Sequence, residues 1–340
     1  MRMANDAAHS GKPIEGKPRV IVTRHLMPSV EARMCQLFDV VLNTADKPLS
    51  KRQLRKAMGD CDVLVPTVTD RNDAQMIEKA GDRLKLIASF GAGTEHIDLA
   101  AAAKRKIIVT NTPGVFTDDT ADIAMCGIIG VPRRIREGVE LVRGGKWTGW
   151  APSGMLGRRL GGKTLGVVGM GRIGQAVAHR ARGFGLEIAY YNRHRLPEAL
   201  ERMLHARYVE SLDALMAEAD ILTLHSPLTD ETRGMIDERR IALMRPGSSI
   251  INTARGELID QEALIAALKS GHLAGAGLDV YPDEPFVDRR LLKHPNVMTL
   301  PHIGSATAEG REASGEKVIA NIRFWMDGHR PPDQVLEALV

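Results

Sequence analysis

A chain of 340 residues exceeds one ordinary domain and suits two, and with 44% hydrophobic and 26% charged residues each half can build a core. The 46 Lys and Arg oppose 42 Asp and Glu for a net charge of +4, and the basic residues do not gather with aromatics, which argues against nucleic acid and leaves a mild bias toward small anions. Cys35, Cys61 and Cys126 are too widely spaced for a disulfide framework or a CxxC metal pair, no apolar run has the length of a membrane span, and polar Met1–Gly16 lacks the apolar core of a secretory signal, so the expectation is a cytoplasmic protein with no metal and no membrane partner.

Apolar runs of strand length alternate with helical segments along the chain. Arg19-Val-Ile-Val-Thr, Asp39-Val-Val-Leu, Asp62-Val-Leu-Val, Leu84-Lys-Leu-Ile-Ala and Ile107-Ile-Val-Thr read as strands, with helices near 30–37, 51–58, 73–80 and 98–105. A second series comprises Lys163-Thr-Leu-Gly-Val-Val, Glu187-Ile-Ala-Tyr-Tyr, Asp220-Ile-Leu-Thr-Leu, Ser249-Ile-Ile-Asn and Leu273-Ala-Gly-Ala-Gly-Leu. Strand–helix alternation with β-branched runs predicts parallel sheets, and two series predict two α/β domains. Long helices are expected over Asp118–Val142, interrupted in composition only by Pro132, and over Thr307–Met326; a Gly-rich segment holding Trp147 and Trp150 follows the first.

Gly169-Met170-Gly171-Arg172-Ile173-Gly174 fits GxGxxG between a strand and a helical run, the context a dinucleotide needs. Gly169 permits the turn, Gly171 the approach of a pyrophosphate, and Gly174 close strand–helix packing, with the helix N-terminus facing the phosphates. A ribose-reading residue is expected about 20 residues further on. The sequence there is Asn192-Arg193-His194-Arg195, with no carboxylate to repel a 2′-phosphate and two guanidiniums to pair with it, which favours NADP (NADPH) while leaving NAD possible.

Three later segments lie at the ends of expected strands: Ile251-Asn252-Thr253-Ala254-Arg255-Gly256, Gly277-Leu278-Asp279-Val280-Tyr281 running on to Glu284-Pro285, and Leu300-Pro301-His302-Ile303-Gly304-Ser305. Reduction of a keto acid needs a cation for the carboxylate, a proton donor for the carbonyl oxygen and a partner that keeps that donor charged. Arg255, His302 and Glu284 supply those three roles.

These motifs, in this order over roughly residues 19 to 335, resemble the D-2-hydroxyacid dehydrogenases. The resemblance implies two Rossmann-like or flavodoxin-like α/β domains with parallel sheets. A cofactor domain, 116–303, is inserted in a substrate domain of 1–115 and 304–340. It implies Arg255, Glu284 and His302 as the catalytic set and Asp279 as a contact of the nicotinamide carboxamide. It further implies His225, Ser226, Pro227, Thr253, Ala254, His302 and Gly304 along the cofactor, and Gly91, Ala92 and Gly93 as backbone donors to the substrate carboxylate. Val131-Pro-Arg-Arg, the Trp147/Trp150 loop and Asp327-Gly-His329-Arg-Pro-Pro-Asp are similar to the glyoxylate and hydroxypyruvate reductase branch, in which a homodimer places a loop Trp at the neighbour's substrate site. Gly127 and Gly130 depart from a regular apolar helix and weaken it unless close packing requires them. Another 2-oxo acid, such as pyruvate or phenylpyruvate, and a dinucleotide-sensing corepressor-like scaffold stand as alternatives.

Overall fold

The computed structural model describes residues 16–336, so the polar tail expected over Met1–Gly16 lies outside it apart from Gly16. The described residues divide into two compact units, one formed by the chain up to Phe116 and again from Ala306, the other by Thr117–Ser305.

In the first unit β1 (Arg19–Val22), α1 (Pro28–Leu37), β2 (Asp39–Val41), α2 (Lys51–Asp60), β3 (Val63–Val65), α3 (Ala74–Glu78), β4 (Leu86–Ala88), α4 (Leu99–Lys104) and β5 (Ile108–Thr110) alternate. The strands form a parallel sheet in the order β2-β1-β3-β4-β5, the flavodoxin-like order. Every residue of β3, β4 and β5 is buried, because helices cover both faces. Ser50 and Gln53 close a capping box at the start of α2, and Asp73 and Asp98 cap α3 and α4.

The second unit runs α5 (Thr117–Gly130), α6 (Ile135–Arg143), β6 (Thr164–Val168), α7 (Arg172–Arg182), β7 (Glu187–Tyr191), α8 (Glu198–Leu204), β8 (Ala206–Tyr208), α9 (Leu212–Glu218), β9 (Ile221–Leu224), α10 (Glu238–Leu243), β10 (Ser248–Asn252), α11 (Gln261–Ser270), β11 (Leu273–Leu278), α12 (Arg289–Lys293) and β12 (Val297–Thr299). Its seven parallel strands follow the order β12-β11-β10-β9-β6-β7-β8, the Rossmann order with one added edge strand. The chain then returns to the first unit in α13 (Ala308–Met326), which Thr307 caps and whose Val318, Ile319, Ile322 and Trp325 join the core under β1, β3 and β4.

The long helix expected over Asp118–Val142 is two helices. Proline 132 has no N–H to continue the ladder, Arg134 adopts a left-handed φ of 53°, and the chain turns between α5 and α6. The short edge strands β8 and β12 had no sequence signal, since each has three residues and only one is buried.

The glycines of α5 are explained by packing. A Cβ on Gly127 would lie 2.9 Å from Cγ2 of Ile251 in β10, and one on Gly130 would lie 3.0 Å from Sδ of Met298. The helix therefore rides directly on the sheet that carries the site. Gly127→Val is expected to overpack this contact and destabilise the unit by about 1–3 kcal/mol, read as a lower melting temperature. An unchanged melting temperature would show that the helix can lift away at no cost.

Candidate active site

In the second unit the dinucleotide segment leaves β6 at Gly169, the point where the strand order reverses. Gly169 has a φ of 93°, and a Cβ there would meet the backbone of His225 and Ser226 at 2.8 Å. A Cβ on Gly174 would lie 2.2 Å from the Gly169 carbonyl oxygen, whereas beside Gly171 there is open space. Met170 turns its side chain into the core and Ile173 packs against it, so this stretch presents backbone, and Arg172 is exposed at the start of α7. Gly171 caps α7 without a side-chain oxygen, leaving the first-turn N–H groups for an anion.

Two buried polar atoms at the carboxyl ends of β9 and β10, Nδ1 of His225 and Oγ1 of Thr253, have no hydrogen-bond partner among the described residues. An open glycine backbone, an uncapped helix start and these orphaned atoms fit a dinucleotide, which Gly169–Gly174, His225–Pro227 and Thr253–Ala254 would hold.

Beyond β7, Asn192 Nδ2 donates to the His194 carbonyl at 2.9 Å and tightens the loop that carries both arginines. Their environments differ. Arg195 grips Glu201 through Nε (3.0 Å) and Nη2 (2.8 Å), and its guanidinium lies 5.7 Å from the Tyr208 ring centroid. Tyr190 also donates to Glu201, at 2.6 Å, and the Arg195 and Tyr190 hydrogen bonds hold the Glu201 carboxyl down at about 2. Arg193 is exposed and makes no ion pair among the described residues.

The candidate catalytic groups converge from three strand ends. After β10, buried Asn252 accepts from the Ala254 N–H (3.0 Å) and donates to the Arg255 carbonyl (2.8 Å), folding a turn that presents Arg255. The next residue is glycine because a Cβ there would lie 2.1 Å from the Tyr281 carbonyl carbon, so this turn packs on the segment after β11. Tyr281 donates its N–H to Glu284 Oε1 (3.0 Å) and its hydroxyl to the carbonyls of Leu278 (3.1 Å) and Leu300 (2.9 Å).

Glu284 Oε2 then meets His302 Nδ1 at 2.7 Å. Burial disfavours the Glu284 charge, but the His302 hydrogen bond and charge, the Tyr281 amide and nearby Arg255 hold its carboxyl below the usual range. His302 itself has a φ of 55°. The resemblance gave Asp279 to the cofactor carboxamide. In the fold its two carboxylate oxygens accept from backbone, one from the Ile303 N–H (2.8 Å) and the other from the Gly304 N–H (2.7 Å).

In the first unit Gly91, Ala92 and Gly93 follow Phe90 past the carboxyl end of β4, and Ala92 is exposed. Among the described residues neither the Ala92 nor the Gly93 N–H has a partner. Trp147 and Trp150 stand out from the loop after α6, 58% and 83% exposed. Asn252, Tyr281 and Glu201 were missed as supporting residues; Asn252 and Tyr281 lay inside recognised segments with no role assigned to them, and a buried glutamate six residues past Arg195 leaves no mark in a single sequence.

A Rossmann sheet with a dinucleotide turn, an arginine and a paired histidine–glutamate at its strand ends is the framework of a nicotinamide-dependent oxidoreductase. Residues 125–304 match the model of the NAD-binding domain of D-isomer specific 2-hydroxyacid dehydrogenases. A glyoxylate reductase of Thermococcus litoralis is 45% identical over 323 residues, 94% of this chain and 97% of that one. The crystal structure of a glyoxylate reductase from Paecilomyes thermophila superposes with a TM-score of 0.85 at 33% identity, covering 95% of this chain and 99% of that one. An NADPH-dependent glyoxylate/hydroxypyruvate reductase from Sinorhizobium meliloti, solved with NADP and malonate, gives 0.85 at 31% identity over 95% and 98%. The chain belongs to the D-isomer specific 2-hydroxyacid dehydrogenase family.

Burial lowers the pKa of His225 from 6.5 to about 3. As pH falls below 6.5 the unfolded chain takes up a proton that the folded chain refuses, so stability drops across the window from 6.5 toward 3. His225→Gln should flatten that part of a urea-midpoint-against-pH curve. Parallel curves for the two proteins would mean that His225 protonates within the fold.

Proposed function

We propose that the chain reduces small 2-oxo acids, glyoxylate and hydroxypyruvate, to glycolate and D-glycerate with NADPH. The observation that carries this reading is the 2.7 Å His302–Glu284 pair beside Arg255. Arg255 supplies the cation for the carboxylate. A bound nicotinamide supplies the hydride. His302, paired with Glu284, gives a proton to the carbonyl oxygen as that oxygen gains charge. The names of the relatives support the substrates, and NADPH is supported by the absence of a carboxylate after β7 and by unpaired Arg193.

Exposed Ile135, Val139, Val142 and Leu156 around the Trp147/Trp150 loop support a homodimer, with one Trp at the neighbour's substrate site. Three unpaired cysteines support the cytoplasm. Among the described residues no helix is long and apolar enough to cross a membrane.

Oxidation of NADPH and NADH with glyoxylate, hydroxypyruvate, pyruvate and phenylpyruvate, measured side by side, tests this function. Turnover of none of the four acids would sink the enzyme reading in favour of a sensing scaffold, and a preference for phenylpyruvate would move the substrate class. Arg193→Ala should lower kcat/KM for NADPH by about tenfold and leave NADH nearly unchanged, since a charge-assisted contact is lost. Equal losses with both cofactors would show that Arg193 does not read the phosphate.

His302→Gln should cost about 10²- to 10⁴-fold in kcat while the dinucleotide still binds. Glu284→Gln should cost less, because the imidazole keeps a hydrogen-bond partner but loses the charge beside it. Near-normal turnover of the His302 variant would assign the proton to another donor.

A further inference from the structure

The cradle formed by Gly91, Ala92 and Gly93 works only if its peptide planes face the right way. In a trans peptide the carbonyl and the N–H point in opposite directions. The Gly91 carbonyl shares a plane with the Ala92 N–H, and the Ala92 carbonyl shares one with the Gly93 N–H. Both carbonyls are tied to the chain leaving β5. The Gly91 oxygen accepts from the Thr112 N–H at 2.9 Å, and the Ala92 oxygen accepts from Nδ2 of Asn111 at 2.7 Å. Both N–H groups are thereby turned away from β5, and neither has a partner among the described residues.

The anchor is itself held. The Asn111 N–H donates to the Asp333 carbonyl (3.3 Å), and its own carbonyl accepts from Nδ2 of fully buried Asn321 on α13 (3.4 Å). Asn321 also accepts the Asp333 N–H (3.0 Å) and donates to the Asp333 carboxylate (3.2 Å), which Lys317 meets at 2.8 Å. Thr112 is pinned by a buried hydroxyl contact with Ser314 of α13 at 2.9 Å.

We propose that Asn111 is a positioning residue for the substrate carboxylate: its side-chain amide fixes the Ala92–Gly93 peptide so that the Gly93 N–H points at the anion. Thr112 does the same for the neighbouring plane through backbone alone, so Asn111 is the side chain on which the cradle's orientation turns. Without it the plane is free to rotate, and a half-turn would present a carbonyl oxygen to the carboxylate, replacing attraction with repulsion. The inference rests on the reading of Gly91–Gly93 as the carboxylate site.

The test compares Asn111→Ala, Asn111→Leu and Asn111→Gln. Alanine and leucine remove the donor, leucine keeping the volume, while glutamine keeps an amide donor on a longer arm. Because the carboxylate is held in ground and transition states alike, the loss should fall on KM. The KM for glyoxylate should rise about tenfold in the alanine and leucine variants, with kcat and the KM for NADPH within about twofold, and glutamine should recover part of the loss. A glyoxylate KM unchanged in either donorless variant overturns the proposal. So does an equal rise in the NADPH KM together with a fall in melting temperature, the signature of a structural role.

A crystal structure of the wild-type enzyme with NADPH and oxamate, an unreactive 2-oxo acid mimic, separates this inference from the reading beneath it. Oxamate bound away from the Ala92 and Gly93 amides removes the cradle itself. Oxamate on those amides, with a silent Asn111→Ala, removes only the role given to Asn111.

Discussion

At the end of β11 the buried carboxylate of Asp279 has its charge opposed by desolvation and answered by the two backbone N–H groups of Ile303 and Gly304, with His302 contributing as a nearby cation. This pair of hydrogen bonds decides where the residue before them sits. His302 occupies the left-handed region, a conformation that costs a non-glycine residue about 1–3 kcal/mol and survives only where its surroundings over-determine it. The Asp279 carboxylate on one side and the Tyr281 hydroxyl on the Leu300 carbonyl on the other clamp the short run that contains it. The imidazole is then delivered to Glu284 at 2.7 Å without a helix or strand of its own.

Backbone orientation enforced by buried polar groups recurs through the molecule. Asn252 spans the turn that presents Arg255, Tyr281 bridges two strand ends, Glu201 draws Tyr190 and Arg195 together, and Asn111 and Thr112 tie the carbonyls of Gly91 and Ala92. In each case a loop beyond the carboxyl end of a parallel strand, where open sheets place ligands, is held by one or two polar groups on or near that strand end. A polar group fixed before the substrate arrives does not have to be ordered during the reaction, which is how such sites stabilise developing charge.

The fold was legible where periodicity and burial coincide. The β-branched runs at Val63–Val65 and Ile221–Leu224 are buried at every position and marked parallel strands unaided, while the half-exposed edge strand at Ala206–Tyr208 left no pattern. The break between α5 and α6 was written in Pro132, whose missing N–H outweighed an apolar periodicity that continued across it. The catalytic candidates were legible because their chemistry demands particular side chains in a particular order. Their supports were not: the tie between Asn111 and Ala92, or between Arg195 and Glu201, depends on three-dimensional proximity that no local spacing encodes. The sequence reading treated Arg193 and Arg195 as equivalent for that reason, and the fold separates them into an unpaired cation and one already matched to a carboxylate.

Charge balance at the strand ends of the second unit gives this arrangement its chemical sense. Arg255 and His302 both act on Glu284, and each favours its ionised form. An anionic ligand placed on Arg255 would neutralise much of that cation's effect. The carboxylate of Glu284 would then rely more heavily on His302 for its charge balance. A ligand's charge at Arg255 and the ionisation of Glu284 are in this way coupled across two strand ends. A neutral ligand would leave that balance as it stands, so the strand ends respond to a ligand's charge as well as to its shape.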